Sequence, residues 1–506
     1  MKLHAAITTA VLAGSLYAPG QDGFIVHFND QQAGRSGTGS SVREVNDGFL
    51  VFCRQYSQEF FDQQHIYTRL LNDQGEILQE REFLVGDPRS FDLGYLDPIA
   101  NSPDGTFAAA VAEGFDYDGA TSFYVFDETG DTLSRRVNMV WPYSDSLIHA
   151  IRQTRLEDIG YGYISCGFFD PIESSSRAFM VKYDASGDTL WTKQYAVNGQ
   201  GMVALGINSY PGGGYIMIGY RSASSVYDSS FLQRMDSSGA LIWRRYFGDY
   251  ATQNGAFRFA SDGGIVTWSN YRELTWPFEE RQLMLTKWNA AGEVVWQKKS
   301  HSGYYASSRD FEVLPDGSFI GTAFSAEAGR NGLLCKFSAQ GDSLWTRAYQ
   351  VASGPHYLND VTLTSDGGFV CTGEANRIMP QDAPNFQQSQ TIWVLKTDSL
   401  GCVVPGCHTV GVEEYALDLN EYLRITPNPV LAGQSLHFTF DPPIEHEAQG
   451  PRRMLLLDAM GRQVREETTM HGTGHSTSTA NLSPGLYYLH LADGTRWLAG
   501  GKVVLE

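Results

Sequence analysis

A short hairpin signature recurs seven times along this 506-residue chain, and that repetition limits the folds open to it. It is clearest in Tyr183-Asp-Ala-Ser-Gly-Asp-Thr-Leu-Trp191. Its glycine falls at Gly75, Gly130, Gly187, Gly239, Gly292, Gly341 and Gly401. Three residues earlier stands Asn72, Asp127, Asp184, Asp236, Asn289, Ser338 or Asp398. A short polar side chain there bonds the backbone two residues on and starts a type I turn. Glycine then takes the left-handed conformation that closes the hairpin. Four residues after the glycine, the middle repeats carry Trp191, Trp243, Trp296 and Trp345. A second signature alternates with the first, a polar-glycine turn leading into an apolar strand, as in Ser365-Asp-Gly-Gly-Phe-Val-Cys-Thr-Gly373. Its counterparts begin near Asp47, Asp104, Asp158, Pro211, Asp262 and Asp316.

Two hairpins per period of roughly fifty residues give four short strands per unit, the arrangement of propeller blades. A solenoid has a shorter period, and separate sandwiches need about twice the length per unit. The expected fold is all-β: a seven-bladed β-propeller over residues 21–407, followed by a small Ig-like β-sandwich. Gly23-Phe-Ile-Val-His-Phe28 has strand character but no companion strands, so it is expected to complete the blade holding Thr391–Thr397 and remove that open edge. The Asp-x-x-Gly-x-x-x-Trp pattern across residues 67–407 resembles the repeats of quinoprotein-type propellers. That family carries adjacent cysteines beside its cofactor; none occur here, so the resemblance implies architecture alone.

Acidic residues outnumber basic ones, 57 to 37, and the net charge is −20. Nucleic acid binding needs a basic surface and is not expected. Residues 1–20 read as a secretory signal, with Lys2 ahead of an apolar core from Ala5 to Ala18 and small residues before Gln21. No other stretch is long and apolar enough for a membrane span, so none is expected in the mature chain. Cys53, Cys166, Cys335 and Cys371 sit in apolar strand-like runs and read as buried thiols. Cys402 and Cys407 bracket Val-Val-Pro-Gly, and a local disulfide is expected there in an oxidising compartment.

Composition changes after Cys407. Residues 408–422 read as a linker and 423–506 as an antiparallel sandwich. This last region carries Pro427-Asn428-Pro429, the Asp458-x-x-Gly461-Arg462 hairpin, Leu482-x-Pro484-Gly485-x-Tyr487 and Lys502 ahead of a terminal apolar strand. In order and spacing these segments resemble the type A sorting domain of type IX secretion cargo. The resemblance implies export through the type IX machinery, scission in residues 408–422, and a secreted or cell-surface location. An ordinary Ig-like adhesion module is the alternative.

No catalytic motif, metal cluster or cofactor loop stands out, so catalytic, metal and cofactor assignments are all none. The longer connections between hairpins carry Tyr117, Asp118, Trp141, Tyr143, Phe169, Asp249, Trp276, Tyr305 and Tyr357. Aromatics beside carboxylates on a rigid scaffold point to a binding face for a glycan or a surface protein. The same aromatics could instead fold back over the rim. The runner-up function is a propeller enzyme, a hydrolase or lyase acting on extracellular glycans, and a third is a structural component of an extracellular layer.

Overall fold

Each hairpin turn is held by its own side chain. Asp127 Oδ1 accepts the backbone N–H of Thr129 at 2.9 Å and of Asp131 at 3.0 Å, and Gly130 returns its N–H to the Asp127 carbonyl at 3.1 Å. Asn72, Asp184, Asp236, Asn289, Ser338 and Asp398 make the same pair of side-chain bonds. The seven glycines have φ between +74° and +85°, the left-handed region. A bulge follows where the fourth strand leaves the turn, as at Lys182/Tyr183 and Lys336/Phe337.

The computed structural model describes residues 23–28, 35–57, 64–84, 91–92, 98–115, 118–139, 148–171, 175–196, 200–222, 229–247, 255–275, 278–303, 306–325, 331–351, 354–377, 389–407, 422–441, 452–469, 474–493 and 496–506. The expected signal and nearly all of the expected linker lie outside these residues. Every named element is a β-strand.

Strands are consumed in order, four at a time. The first sheet holds Arg35–Val45, Gly48–Ser57, Gln64–Leu71 and Ile77–Leu84. The second holds Phe107–Phe115, Asp118–Phe126 and Thr132–Met139, and differs from the expected four strands because its first is split. Phe91–Asp92 and Ile99–Asn101 both pair with Phe107–Phe115. The third sheet runs from Ile148–Asp158 to Thr189–Tyr195 and the fourth from Gly201–Ser209 to Leu241–Phe247. The fifth runs from Gly255–Phe259 to Val294–Gly303 and the sixth from Ala306–Val313 to Ser343–Tyr349. The seventh has His356–Leu363, Phe369–Arg377 and Ser389–Thr397 from the end of this region, and Phe24–Phe28 from its beginning as the outer strand. All pairings within the seven sheets are antiparallel.

Each sheet packs on the next through an apolar cluster. Phe52 meets Phe126 between the first and second sheets, and Phe123 meets Tyr183 between the second and third. Trp191 meets Tyr215, Phe247 meets Trp288, and Trp268 meets Phe337 at the next three interfaces. Leu334 and Trp393 join sixth to seventh, and Phe24 with Phe49 joins seventh to first. The turn glycines sit in these seams. The space a Cβ would fill at Gly292, Gly341 and Gly401 is occupied by Trp243, Trp296 and Trp345 of the preceding sheet, and at Gly239 by Met180, with Lys193 and Trp191 beside it. At Gly75 the same space is taken by Phe24 and Val26. The N-terminal strand thus gives the first sheet the cover that tryptophan gives the later ones.

Residues 423–506 form a three-stranded sheet of Leu423–Thr426, Ser435–Phe440 and His475–Ser478 and a four-stranded sheet. The latter has spatial order Gln463–Thr469, Arg452–Asp458, Gly485–Asp493, Arg496–Leu505. Leu436 and Phe438 of the small sheet share a core with Leu456, Leu489 and Val503 of the larger one. Cys402 and Cys407 form a disulfide, and they pack against Leu455, Leu457 and Trp497.

The turn carboxylates make stability depend on acid. Hydrogen bonds from the Thr106, Ser238 and Ser318 hydroxyls hold Asp104, Asp236 and Asp316 below the usual range, and a bond from Lys287 does the same for Asp262. Unfolded, these groups titrate near pH ~4, so the unfolded chain takes up protons first as pH falls. Their stabilisation is therefore complete above that pH and is lost as pH drops through the lower folded values. Melting temperature should be flat from neutral pH to about pH 5 and fall steeply below about pH 4. Melting that is unchanged at about pH 3 would contradict this assignment.

Candidate functional site

Within each sheet a tight turn joins the first strand to the second, and in the first six sheets another joins the third to the fourth, so the second-to-third and sheet-to-sheet connections gather at the opposite ends. The first strands of neighbouring sheets touch one another, or are bonded through Arg43 where the first sheet meets the second. These contacts link the first strands in sequence order and return from the seventh sheet to the first. Five of these first strands carry a bulge against their second strand, centred on Ser40, Thr154, Leu205, Arg309-Asp310 and Asn359. A bulge re-aims the side chain of its extra residue.

Two consequences follow in the sixth, seventh and first sheets. Asn359 reaches across the seam and donates to Thr38 Oγ1 and to the Gly39 carbonyl, both at 3.0 Å. Gly39 has to be glycine here, because a Cβ would lie 2.0 Å from Thr372 Oγ1. Arg309 lays its guanidinium over the Tyr357 ring, 5.1 Å from the centroid, while Phe324 stacks on that ring at 4.3 Å. Tyr357 is the cross-strand partner of Glu374, and Thr38 is the partner of buried Arg54. Arg309, Arg54, Glu374, Tyr357, Thr38 and Asn376 therefore cluster toward the end of the sheets where second strands lead into third strands, referred to below as the mouth. Burial pushes the Glu374 carboxyl above its ordinary range, and the Arg309 and Arg54 guanidiniums, with hydrogen bonds from Thr38 and Asn376, only partly offset this.

Below the mouth, charge is locked in place. Asp360 accepts Ser41 Oγ at 3.0 Å, the Val42 N–H at 2.7 Å and Arg43 Nη1 at 2.9 Å. Arg258 pairs with Asp310 at 3.2 Å and with Glu312. A small cavity between the fourth, fifth and sixth sheets is lined by Leu205, Ile207, Phe257, Arg258, Arg309 and Asp310. Among the described residues no group of His, Cys, Asp and Glu is arranged to hold a metal ion.

Of the residues expected to bind ligand, Tyr117, Trp141, Tyr143, Asp249, Trp276 and Tyr305 lie outside the described residues. Asp118 opens the strand Asp118–Phe126. Phe169 is a correction: it is 1% exposed and packs on Phe179 in the core between the second and third sheets. It belongs to the strand Gly162–Pro171, which runs further than its turn signals suggested. Tyr357 reaches the mouth, but both faces of its ring are covered. Tyr271 lies under Lys299 at 4.2 Å and Tyr246 under Arg221 at 4.8 Å, each with a cation over its ring. For Tyr357 the fold-back alternative describes the ring faces.

Arg309, Arg54 and Glu374 were not singled out from the sequence. They come from three strands far apart in the chain, and the only local hint, a charged residue inside a buried strand, is shared with many structural ion pairs.

The residues expected to form the sorting motif lie near one end of the four-stranded sheet, with Asp458 opposite Tyr487 and Tyr487 opposite Val503. Asn428 Nδ2 donates to the Lys502 carbonyl at 2.7 Å and its Oδ1 accepts the Val504 N–H at 2.9 Å. The flanking Pro427 and Pro429 follow cis peptide bonds. Asp458 binds the N–H groups of Met460 and Arg462, with Gly461 at φ +74°. Pro484 precedes Gly485 at φ +151°, and Tyr487 donates to the Ser483 carbonyl at 2.8 Å. No family model matches the chain, and no curated protein matches it.

Proposed function

We propose that residues 21–407 are a seven-bladed β-propeller that binds a ligand through its long-loop face, and that an Ig-like sandwich over 423–506 sorts it through the type IX machinery. The chain would then act outside the cell, released or at the surface, on a glycan or surface-protein ligand. Three observations support the ring: seven sheets in sequence order, an apolar seam between every neighbouring pair including the last and first, and an N-terminal strand that completes the last sheet. The observation that carries the binding reading is the mouth formed by Arg309, Arg54, Glu374 and Tyr357. Charged groups brought together from separate sheets at one end of a rigid scaffold are costly to hold there without a use.

The test is a glycan-array and pull-down screen on the mature full-length chain, repeated with Arg309→Ala. A retained ligand should lose at least about tenfold in affinity, ~1.4 kcal/mol. Unchanged affinity for a proven ligand would remove the mouth from the binding face. For sorting, the bond that the Val504 N–H donates to Asn428 ties the terminal strand to the Pro427-Asn428-Pro429 segment and supports this reading. Deleting residues 502–506 in a bacterium with a type IX route should leave the protein in the periplasm, and continued export would refute the sorting role.

A further inference from the structure

We infer that the loop Cys402–Cys407 is the docking site for the C-terminal sandwich, held in shape by its disulfide. A cut in residues 408–422 would then leave the two parts of the chain bound to each other, and opening the disulfide would let them part. The inference needs neither the ligand face nor the secretion route proposed above.

The loop begins where the seventh sheet would otherwise turn into a fourth strand of its own. Asp398 Oδ1 accepts the Cys402 N–H at 2.8 Å, and the Asp398 N–H goes to the Cys402 carbonyl at 2.8 Å. Phe24–Phe28 holds the fourth-strand place, so the chain beyond Cys402 is free to run on as a loop. The Gly23 N–H bonds the Val403 carbonyl at 2.8 Å and fixes the start of that loop. Its far end is fixed by the disulfide, which ties Cys407 back to Cys402. A loop closed this tightly has little conformational freedom left to lose when a partner settles on it.

The partner is the four-stranded sheet, which is apolar on both faces. Met454 and Leu456 turn toward the three-stranded sheet, while Leu455 and Leu457 turn the other way, as alternation along a strand requires. The second face is completed by Ala492 and Trp497 and packs on Cys402 and Cys407, with Leu400 and Val404 beside them. Leu455, Leu457 and Trp497 are at most 5% exposed there, and parting would return them to water. A polar bond sets the register. The Trp497 indole N–H donates to His490 Nδ1 at 2.8 Å, which leaves His490 Nε2 to donate to the Pro405 carbonyl at 3.1 Å. Next to Pro405, Gly406 has φ +89°, and a Cβ there would run into Leu457.

Docking also covers the disulfide, since Cys402 is 0% and Cys407 6% exposed. A dithiol reductant must bring a thiolate to one of these sulfurs. Two electrons and two protons then pass to the cysteines, the S–S bond opens to two thiols, and the dithiol closes to its own disulfide. The seated sheet bars that approach, so loop and sandwich protect each other.

The test uses the mature chain with a site-specific protease site inserted within residues 408–422. After cutting, the two pieces should co-elute in size-exclusion chromatography at about 1 µM protein. Replacing both cysteines, Cys402→Ser with Cys407→Ser, should raise the dissociation constant between the pieces at least about tenfold. Val404→Asp on the loop and Leu457→Asp on the sheet should each do the same with the disulfide intact, because each buries a charge in the contact. Val404→Asp lies outside the sandwich, so its effect cannot come from unfolding that part. In the uncut chain, Val404→Asp should speed reduction by dithiothreitol at least about tenfold, read by alkylation and mass spectrometry. Pieces that separate on cutting while the disulfide is intact would overturn the docking site. A serine pair that holds the sandwich as tightly as the parent would overturn the part given to the disulfide. A reduction rate unmoved by Val404→Asp would overturn the shielding.

Discussion

Replacing Asp360 with alanine should cost the folded protein about 3–5 kcal/mol, the expected result of stranding a buried charge. Asp360 is 1% exposed and holds three donors from the first sheet, Ser41 Oγ, the Val42 N–H and Arg43 Nη1. Arg43 continues into the second sheet, donating to Asn101 Oδ1 at 2.8 Å and to the Ile99 carbonyl at 2.9 Å. One carboxylate therefore ties the seventh sheet to the first, and its partner ties the first to the second. Without it, Arg43 and the Val42 amide lose an acceptor in a place water does not replace. The control is Asp131→Ala. Asp131 pairs with Arg81 at 2.8 Å, but both side chains are about half exposed, and such pairs contribute less than about 1 kcal/mol. Guanidinium titration of the mature chain reads both. Equal small shifts would mean that the Asp360 network does not hold the sheets together.

Removing residues 21–28 should be as damaging, by a different route. The strand Phe24–Phe28 pairs with Ser389–Thr397 in the register Phe24 to Lys396 through Phe28 to Ile392. Its Phe24 fills the space beside Gly75 and meets Phe49 at 5.7 Å, and Arg69 lies over Phe28 at 4.9 Å. Loss of Phe24 alone removes contacts worth about 3–5 kcal/mol for a buried phenylalanine. Loss of the whole strand also bares the Ser389–Thr397 edge, an invitation to pair with another chain. The truncated protein should melt well below the parent and form oligomers in size-exclusion chromatography. A synthetic peptide of residues 21–30 should restore the monomer. A truncated protein that stays monomeric and melts with the parent would contradict this role.

What the chain discloses by itself follows from how local each device is. The hairpins are legible because the Asp or Asn that starts each turn also supplies the bonds that hold it, all within four residues. The Cys402–Cys407 pair is legible for the same reason. The tryptophans that follow Gly187, Gly239, Gly292 and Gly341 are visible in sequence, but each packs beside the glycine of the following sheet, a relation across the fold. Phe169 was misplaced because an apolar residue near a strand end reads alike whether it turns inward or out. The mouth stayed hidden because bulges at Arg309 and Asn359 leave no mark in a sequence, and because its charges meet only once three sheets are packed.

The structure also reweights one resemblance. The Asp458-x-x-Gly461-Arg462 hairpin repeats, bond for bond, the turn used seven times before it. It is a general hairpin solution, and the distinctive part of the C-terminal pattern is Asn428 clasping the last strand at Lys502 and Val504.

Closure of the ring is tested most directly by a crosslink between its two ends. Val26 and Val394 are opposite one another in the pairing of the first strand with the last. In a Val26→Cys, Val394→Cys protein, mild oxidation should give one intrachain disulfide, mapped by peptide mass spectrometry, in a monomer that migrates faster on a non-reducing gel. Thiols that stay free, or that join separate chains, would show that the two ends do not meet and that the sheets form no closed ring.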